Sequence, residues 1–186
     1  MPARIEPRTD MIGPLSYIGG KRRIAKQLVS LIPDHTTYVE PFAGGAQVLF
    51  HKAPSNVEVL NDLDFDIVNF FRVCQWHYAE LIRYLRYCLA SRRLHELHVK
   101  TNPDTLTDIQ RAGRFFYLQK NSFGGLVLKH RFHYGVTQQT NYNPDRIPEP
   151  QPGLFAWKIR PNAGEARYSA EFRLTEIFPA HIPPPR

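Results

Sequence analysis

Residues Tyr38 to Phe50 read Y-V-E-P-F-A-G-G-A-Q-V-L-F, and the rest of the chain takes its meaning from that stretch. Tyr38 to Phe42 has the character of a short buried strand. Ala43 to Ala46 is a tight turn of small residues, and Gln47 to Phe50 opens a helix. Strand, glycine turn and helix in that order let a nucleotide-like ligand approach bare backbone at the end of a parallel strand. The turn does not match the dinucleotide fingerprint G-x-G-x-x-G, so the ligand class stays open at this point. One acid, Glu40, sits near the C-terminal end of the strand. A buried carboxylate is costly unless hydrogen-bonded, and in open α/β sheets the strand's C-terminal end faces the ligand crevice. Its plainer role would be to cap the amide of Gly44 or Gly45.

Upstream lies Pro14-Leu15-Ser16-Tyr17-Ile18-Gly19-Gly20-Lys21-Arg22-Arg23. Two glycines followed by three cations, directly before a helix, can set backbone N–H groups and a lysine near an anion; the alternative is a plain turn. The helix is expected to present Ile24, Leu28 and Leu31 on one face, with Ala25, Val29 and Ile32 beside them, and to stop at Pro33. Downstream, Val57 to Leu60 reads as a second strand ending at Asn61-Asp62. Asp62 lies 22 residues after Glu40, where an acid at the end of a second strand holds ribose hydroxyls. Asp62-x-Asp64-x-Asp66 begins like a calcium loop, but Ile67 and Val73 stand where glycine and glutamate are required. Asp64 also reads as a helix cap.

A long helical region follows, with Ile67, Phe70, Phe71, Cys74 and Tyr78 on one face, then Leu81, Leu85 and Leu89, and a plausible break near Tyr78. His95 and His98 stand three apart, as do His130 and His133. No cysteine or carboxylate cluster accompanies either pair, so no metal is expected and the histidines are assigned to a solvated helix face. Asn102-Pro103-Asp104 is a turn, and Asp108 to Asn121 is another helix. From Arg111 to His133 there are five Lys or Arg residues and no Asp or Glu, interleaved with Phe115, Phe116, Tyr117, Phe123, Phe132, His133 and Tyr134. Cations for phosphates with aromatics for stacking suit a nucleic-acid surface; aromatics at helical spacing equally suit a core. From Pro144 onward the chain holds 9 of its 16 prolines, and an irregular, proline-rich tail is expected there.

The totals agree. The 186 residues fit one domain, or one with a small subdomain, and 42% hydrophobic content suffices for a core. The net charge of +7 favours an anionic partner, nucleic acid first. The two cysteines, Cys74 and Cys88, fall in apolar helical patterns and fit a reduced, cytoplasmic protein. No signal peptide and no run of membrane-spanning length is found, so no membrane partner is expected.

Taken together, segments between about Pro14 and Arg146 resemble the Dam-type, adenine-specific (N6) DNA methyltransferases. Tyr17-Ile18-Gly19-Gly20-Lys21 is similar to that family's N-terminal S-adenosylmethionine motif. Val39-Glu40-Pro41-Phe42-Ala43-Gly44-Gly45 is similar to its glycine turn, and Leu60-Asn61-Asp62 to its ribose-binding acid. Phe116 to Gly125, F-Y-L-Q-K-N-S-F-G-G, resembles part of its DNA-recognition region. The resemblance implies an α/β, Rossmann-like methyltransferase fold. Residues 14–74 would form the cofactor-binding part, 75–143 a mostly helical DNA-recognition insert, and 144–186 a tail foreign to the family fold. It implies S-adenosylmethionine as cofactor, with Tyr17, Gly19, Gly20, Lys21, Glu40, Phe42, Gly44, Gly45 and Asp62 around it. Tyr17 and Lys21 would meet the methionine end. DNA would be the partner, contacted by Arg111, Arg114, Lys120, Asn121, Lys129 and Arg131, and a paired restriction enzyme is a candidate companion.

The family's catalytic D-P-P-Y, which holds the amine and stacks on the adenine, is not in these residues; the one run of prolines is Pro183-Pro184-Pro185. No catalytic residue is therefore assigned. The expectation is a truncation or, preferably, a frame shift near Glu149, leaving an incomplete sheet with an open edge beside Tyr38 to Phe42 and marginal stability. Three functional classes follow: an adenine methyltransferase, a catalytically dead relative that binds only cofactor or DNA, and an unrelated basic nucleic-acid-binding module.

Overall fold

The computed structural model describes residues 13–15, 20–122, 132, 142–149 and 157–161. Along them run α1 (Ala25–Ser30), β1 (Thr37–Glu40), α2 (Gln47–His51), β2 (Val57–Asp62), α3 (Phe65–Trp76), α4 (Tyr78–Arg86), α5 (Arg92–Lys100), α6 (Asp108–Asn121) and β3 (Trp157–Pro161). β2 is central. It pairs in parallel with β1, Val39 opposite Val59 and Glu40 opposite Leu60, and in parallel with β3, Leu60 opposite Ile159 and Asp62 opposite Pro161. Parallel pairing requires a crossover; α2 lies between β1 and β2, and α3 to α6 lie between β2 and β3. The C-terminal ends of the strands thus open on one edge of the sheet, where the Pro41–Ala46 turn and Asn61–Asp62 meet.

A single hydrophobic cluster joins the sheet to the helices. Leu15, Leu49, Phe50, Leu60 and Ile67 meet Leu81, Leu85, Ala112, Phe115 and Phe116 in it. Phe70 sits between the two sets: it stacks on Phe116 at 5.8 Å, tilts against Phe115 at 6.0 Å and meets Phe71 edge-on at 5.4 Å. Such pairs add to the area term that burying a phenyl ring already supplies. The aromatics of α6 are therefore core, which settles the choice left open by their spacing; Phe123, His133 and Tyr134 lie outside the described residues. Helix α6 starts at a capping box. Thr107 Oγ1 accepts from the Gln110 N–H, and Gln110 Oε1 accepts from the Thr107 N–H. It packs closely on α4 because Gly113 has no side chain: a Cβ there would stand 2.4 Å from the Tyr84 ring. The expected break between α3 and α4 falls at His77.

Near the sheet, Lys52 and Glu58 form a buried ion pair at 2.6 Å. Lys52 Nζ also donates to Ala53 O and lies over the Tyr38 ring, tying the end of α2 to both strands. Buried charges need several such partners to be tolerated.

Three expectations are corrected. The first concerns α1. Residues Lys21–Arg23 form a 3₁₀ turn and α1 begins at Ala25, which is buried, while Ile24 and Leu31, outside the helix ends, are exposed. The second concerns His95 and His98, which are buried rather than solvated; Arg114, Tyr117 and Ser122 of α6 and its C-terminal end surround them. The third concerns the tail. Asn143 caps a turn at Pro144–Arg146, Ile147 is buried and accepts from the Tyr78 hydroxyl, and β3 joins the sheet. A five-residue strand in W-K-I-R-P has too few alternating positions to stand out among prolines.

Candidate functional site

The glycine turn is built from both sides. Below it, Leu15 is buried and its carbonyl accepts from Gln47 Nε2 at 2.9 Å. A Cβ on Gly45 would lie 2.8 Å from that carbonyl oxygen, so only glycine permits the approach. Gly44 has φ of +50°, and nothing stands within 4 Å of where its side chain would be. The turn is left-handed and bare on its outer side, as a closely approaching ligand requires.

The N-terminal segment delivers Lys21 to the same place. Its ammonium is 3.2 Å from Glu40 Oε1 and 3.3 Å from Phe42 O. Glu40 is buried, and its second oxygen, Oε2, has no well-formed hydrogen bond among the described residues. Burial raises the Glu40 carboxyl above the ordinary carboxylate range; Lys21, and less strongly the Leu49 amide and Tyr38 hydroxyl, pull it back. Burial and the neighbouring Glu40 in turn push the Tyr38 phenol up. Phe42 and Leu63, which follow the ends of β1 and β2, expose their side chains.

Asp62 stands across the crevice. Its Oδ2 accepts from the Gly44 N–H at 2.7 Å and its Oδ1 from the Asp64 N–H at 3.0 Å. The Gly44 amide thus goes to Asp62, not to Glu40 as one expectation had it. Asp64 caps α3 by accepting from the Asp66 N–H. Of the predicted cofactor residues, Gly20, Lys21, Glu40, Phe42, Gly44, Gly45 and Asp62 converge on this edge of the sheet; Tyr17 and Gly19 lie outside the described residues. Asn61 and Gln47 also shape the turn, and the sequence reading did not single them out. The one sign of Asn61 is its place between a strand and Asp62.

The predicted DNA contacts sort differently. Arg111 bonds Asp66 and Asp104, Arg114 is buried and donates to His98 O at 2.6 Å, and Asn121 is buried and donates to Tyr117 O. These three side chains serve the fold. Lys120 lies over the Phe116 ring. Burial, then the charges of Arg146 and Arg22, lower its pKa to about 8; Arg22 and Arg146 are exposed. Lys129 and Arg131 lie outside the described residues. Among the described residues no group of three His, Cys, Asp or Glu gathers to hold a metal, and no helix is long and apolar enough to cross a membrane.

Residues 17–175 match the sequence profile of the D12 class N6 adenine-specific DNA methyltransferases. The chain belongs to that family. The match runs past Glu149, beyond the point where the sequence reading expected the likeness to end. The DNA N-6-adenine-methyltransferase of Escherichia phage P1 is 28% identical over 115 residues, which are 60% of this chain and 15% of that protein. The type II methyltransferase M1.LlaDCHI of Lactococcus lactis subsp. cremoris is 25% identical over 134 residues, 68% of this chain and 44% of that protein. The type II methyltransferase M.CviBI of Paramecium bursaria Chlorella virus NC1A is 30% identical over 116 residues, 61% of this chain and 44% of its own length. The matched region thus spans less than half the length of each of these relatives.

Proposed function

We propose that this chain supplies the cofactor-binding and DNA-recognition parts of an enzyme that transfers a methyl group from S-adenosylmethionine to the N6 amine of adenine in DNA. The observation that carries the reading is Lys21 beside Glu40, with Glu40 Oε2 buried and lacking a well-formed partner, next to a bare left-handed turn at Gly44. An ammonium and a carboxylate side by side complement the zwitterionic amino-acid end of a ligand. Asp62 uses one lone pair on each oxygen and keeps acceptor capacity for ribose hydroxyls. Exposed Phe42 and Leu63 flank the crevice with apolar surface suited to a purine. The cofactor's sulfonium supplies an electrophilic methyl group; these side chains bind and orient it. Tyr17 and Gly19 complete the methionine end by family likeness.

Residues 14–74 are assigned to the cofactor and 75–143 to DNA recognition. For the DNA, Lys120 with Arg22 and Arg146 forms the cationic face proposed to meet phosphates, with Lys129 and Arg131 as further candidates. The target adenine must leave the base stack to be reached. A cytoplasmic site of action is part of the same reading, with a paired restriction enzyme as a candidate partner. A second reading, binding without transfer, is favoured by one fact: D-P-P-Y does not occur in these 186 residues. Incubation with radiolabelled S-adenosylmethionine and adenine-containing DNA separates the two. Labelled N6-methyladenine supports transfer; saturable cofactor binding without label supports binding alone; neither, in folded protein, removes both.

A further inference from the structure

The end of β2 does more than present an acid to the crevice. Asn61 O accepts from the Ala43 N–H at 2.9 Å, and Asn61 Nδ2 donates to Pro41 O at 3.0 Å. Asp62 Oδ2 takes the Gly44 N–H at 2.7 Å while Oδ1 takes the Asp64 N–H at 3.0 Å. Three positions of the turn, Pro41, Ala43 and Gly44, are thus bonded to two adjacent residues of the neighbouring strand. Asp64 passes the restraint on by capping α3.

The geometry points to Asn61 and Asp62 as a clasp that sets the Pro41–Gly44 turn before any ligand arrives, with Asn61 a positioning residue for the cofactor site and Asp62 a positioning residue in addition to its proposed ribose contact. The residue chemistry is matched to that task. A left-handed residue at Gly44 has its N–H turned out of any strand ladder, so it needs an acceptor from elsewhere. A carboxylate can accept from two separate amides on two oxygens, whereas an asparagine can satisfy only one and turns an NH₂ toward the other. Asn61 must donate to a carbonyl through its side chain, which aspartate cannot do. A turn held this way loses little conformational entropy on binding, and preorganisation of that kind raises affinity without a contact to the ligand.

The clasp rests on the cofactor reading for its purpose but not for its existence, and the test has one arm for each. In the ligand-free protein, amide exchange at Ala43, Gly44 and Asp64 is measured by NMR for the wild type, Asn61→Ala, Asn61→Asp and Asp62→Asn, with Val59 and Leu60 as a control for the fold. Both turn amides are expected to exchange about fivefold to tenfold faster in the variants, the scale of one net hydrogen bond, with the strand amides unchanged. Exchange unchanged in Asp62→Asn at both Gly44 and Asp64, the two amides that Asp62 holds, overturns the clasp, and so does equal loss of protection at Val59 and Leu60 in all three variants. In the second arm, S-adenosylhomocysteine and its 2′,3′-dideoxy analogue are titrated. Asn61→Ala is expected to weaken both ligands by the same factor, about fivefold. Asp62→Asn should still weaken the analogue, which has no hydroxyl for it to hold. A loss in Asp62→Asn confined to the hydroxylated ligand, or no loss in Asn61→Ala, contradicts a positioning role. Failure of the wild type to bind either ligand would sink the cofactor reading while the exchange result still decides the clasp.

Discussion

The crevice at the ends of β1 and β2 and the packed face between α3 and α6 both place charged groups among apolar ones, and they treat them in opposite ways. Between the helices the arginines are paired within the protein, from buried Arg114 to the partly exposed Arg72–Asp108 pair. Arg111 meets Asp66 and Asp104, Arg72 meets Asp108, and Arg114 donates to the His98 carbonyl. At the crevice Glu40 is buried with one oxygen lacking a well-formed partner, its carboxyl is pushed up, and Lys21 is only partly covered. Native proteins leave few buried polar atoms unsatisfied; Asn69 Oδ1, His98 Nε2 and Asn121 Oδ1 are such atoms among the helices, so what sets Glu40 apart is its charge and its place at the strand ends. Arginines at helical spacing thus belong to a fold-holding network here, while the proposed site is marked by a buried carboxylate whose Oε2 lacks a well-formed hydrogen bond, beside a partly exposed lysine.

Substitutions should separate the two regions. The largest effect belongs to Phe70, which links both halves of the core. Phe70→Ala is expected to cost about 3–5 kcal/mol in chemical denaturation, without changing cofactor affinity in the fraction that folds. Arg114→Ala comes next. It empties a buried site and leaves the His98 carbonyl without its donor, so a loss of about 1–3 kcal/mol is expected. DNA affinity, measured by anisotropy at fixed salt, should hold. A large loss of DNA binding with stability intact would return Arg114 to the interface.

Acid sharpens the contrast further. Burial, then Arg114 and His95, depress the His98 pKa from 6.5 to about 4. A histidine with a lowered folded pKa favours the neutral form, so its contribution is fully present above the unfolded value and is lost as pH falls from about 6.5 toward 4. Stability should fall across that window, and His98→Gln should flatten the fall by on the order of 1–3 kcal/mol. The smallest effect has the opposite sign. Because the Glu40 carboxyl is raised, its ionisation is disfavoured in the fold, and stability from this group declines as pH rises above the unfolded carboxylate range. Glu40→Gln at neutral pH should therefore hold or slightly raise the melting temperature, by no more than about 1–3 °C.

What was legible in the sequence was what neighbours along the chain decide. Apolar spacing marks α6 over Asp108 to Asn121, Asp64 caps α3, and Gly44 and Gly45 turn where the strand ends. Each depends on groups within a few residues. The meeting of the Pro41–Ala46 turn with Asp62 was legible too, because a parallel strand pair brings its C-terminal loops to one edge; Lys21 precedes α1 and reaches that edge through its contacts with Glu40 and Phe42. Other features depend on partners far along the chain. His95 and His98 look solvated until α6 covers them, and Arg114 looks like a phosphate contact until the His98 carbonyl takes it. Asn61 is an ordinary polar residue until Pro41 and Ala43 lie beside it. β3 is hidden for a different reason: pairing with β2, not its own sequence pattern, makes Trp157–Pro161 a strand.

The central claim is that the Glu40 and Gly44 crevice is a site for S-adenosylmethionine, and one calorimetric titration tests it. S-adenosylhomocysteine is titrated into the wild type and into Glu40→Gln at neutral pH, with the melting temperature of each protein recorded. The expected result is saturable one-to-one binding by the wild type and binding weaker by about tenfold or more in the variant, at an equal or higher melting temperature. Equal affinity in the two proteins, or no binding by a folded wild type, would contradict the assignment.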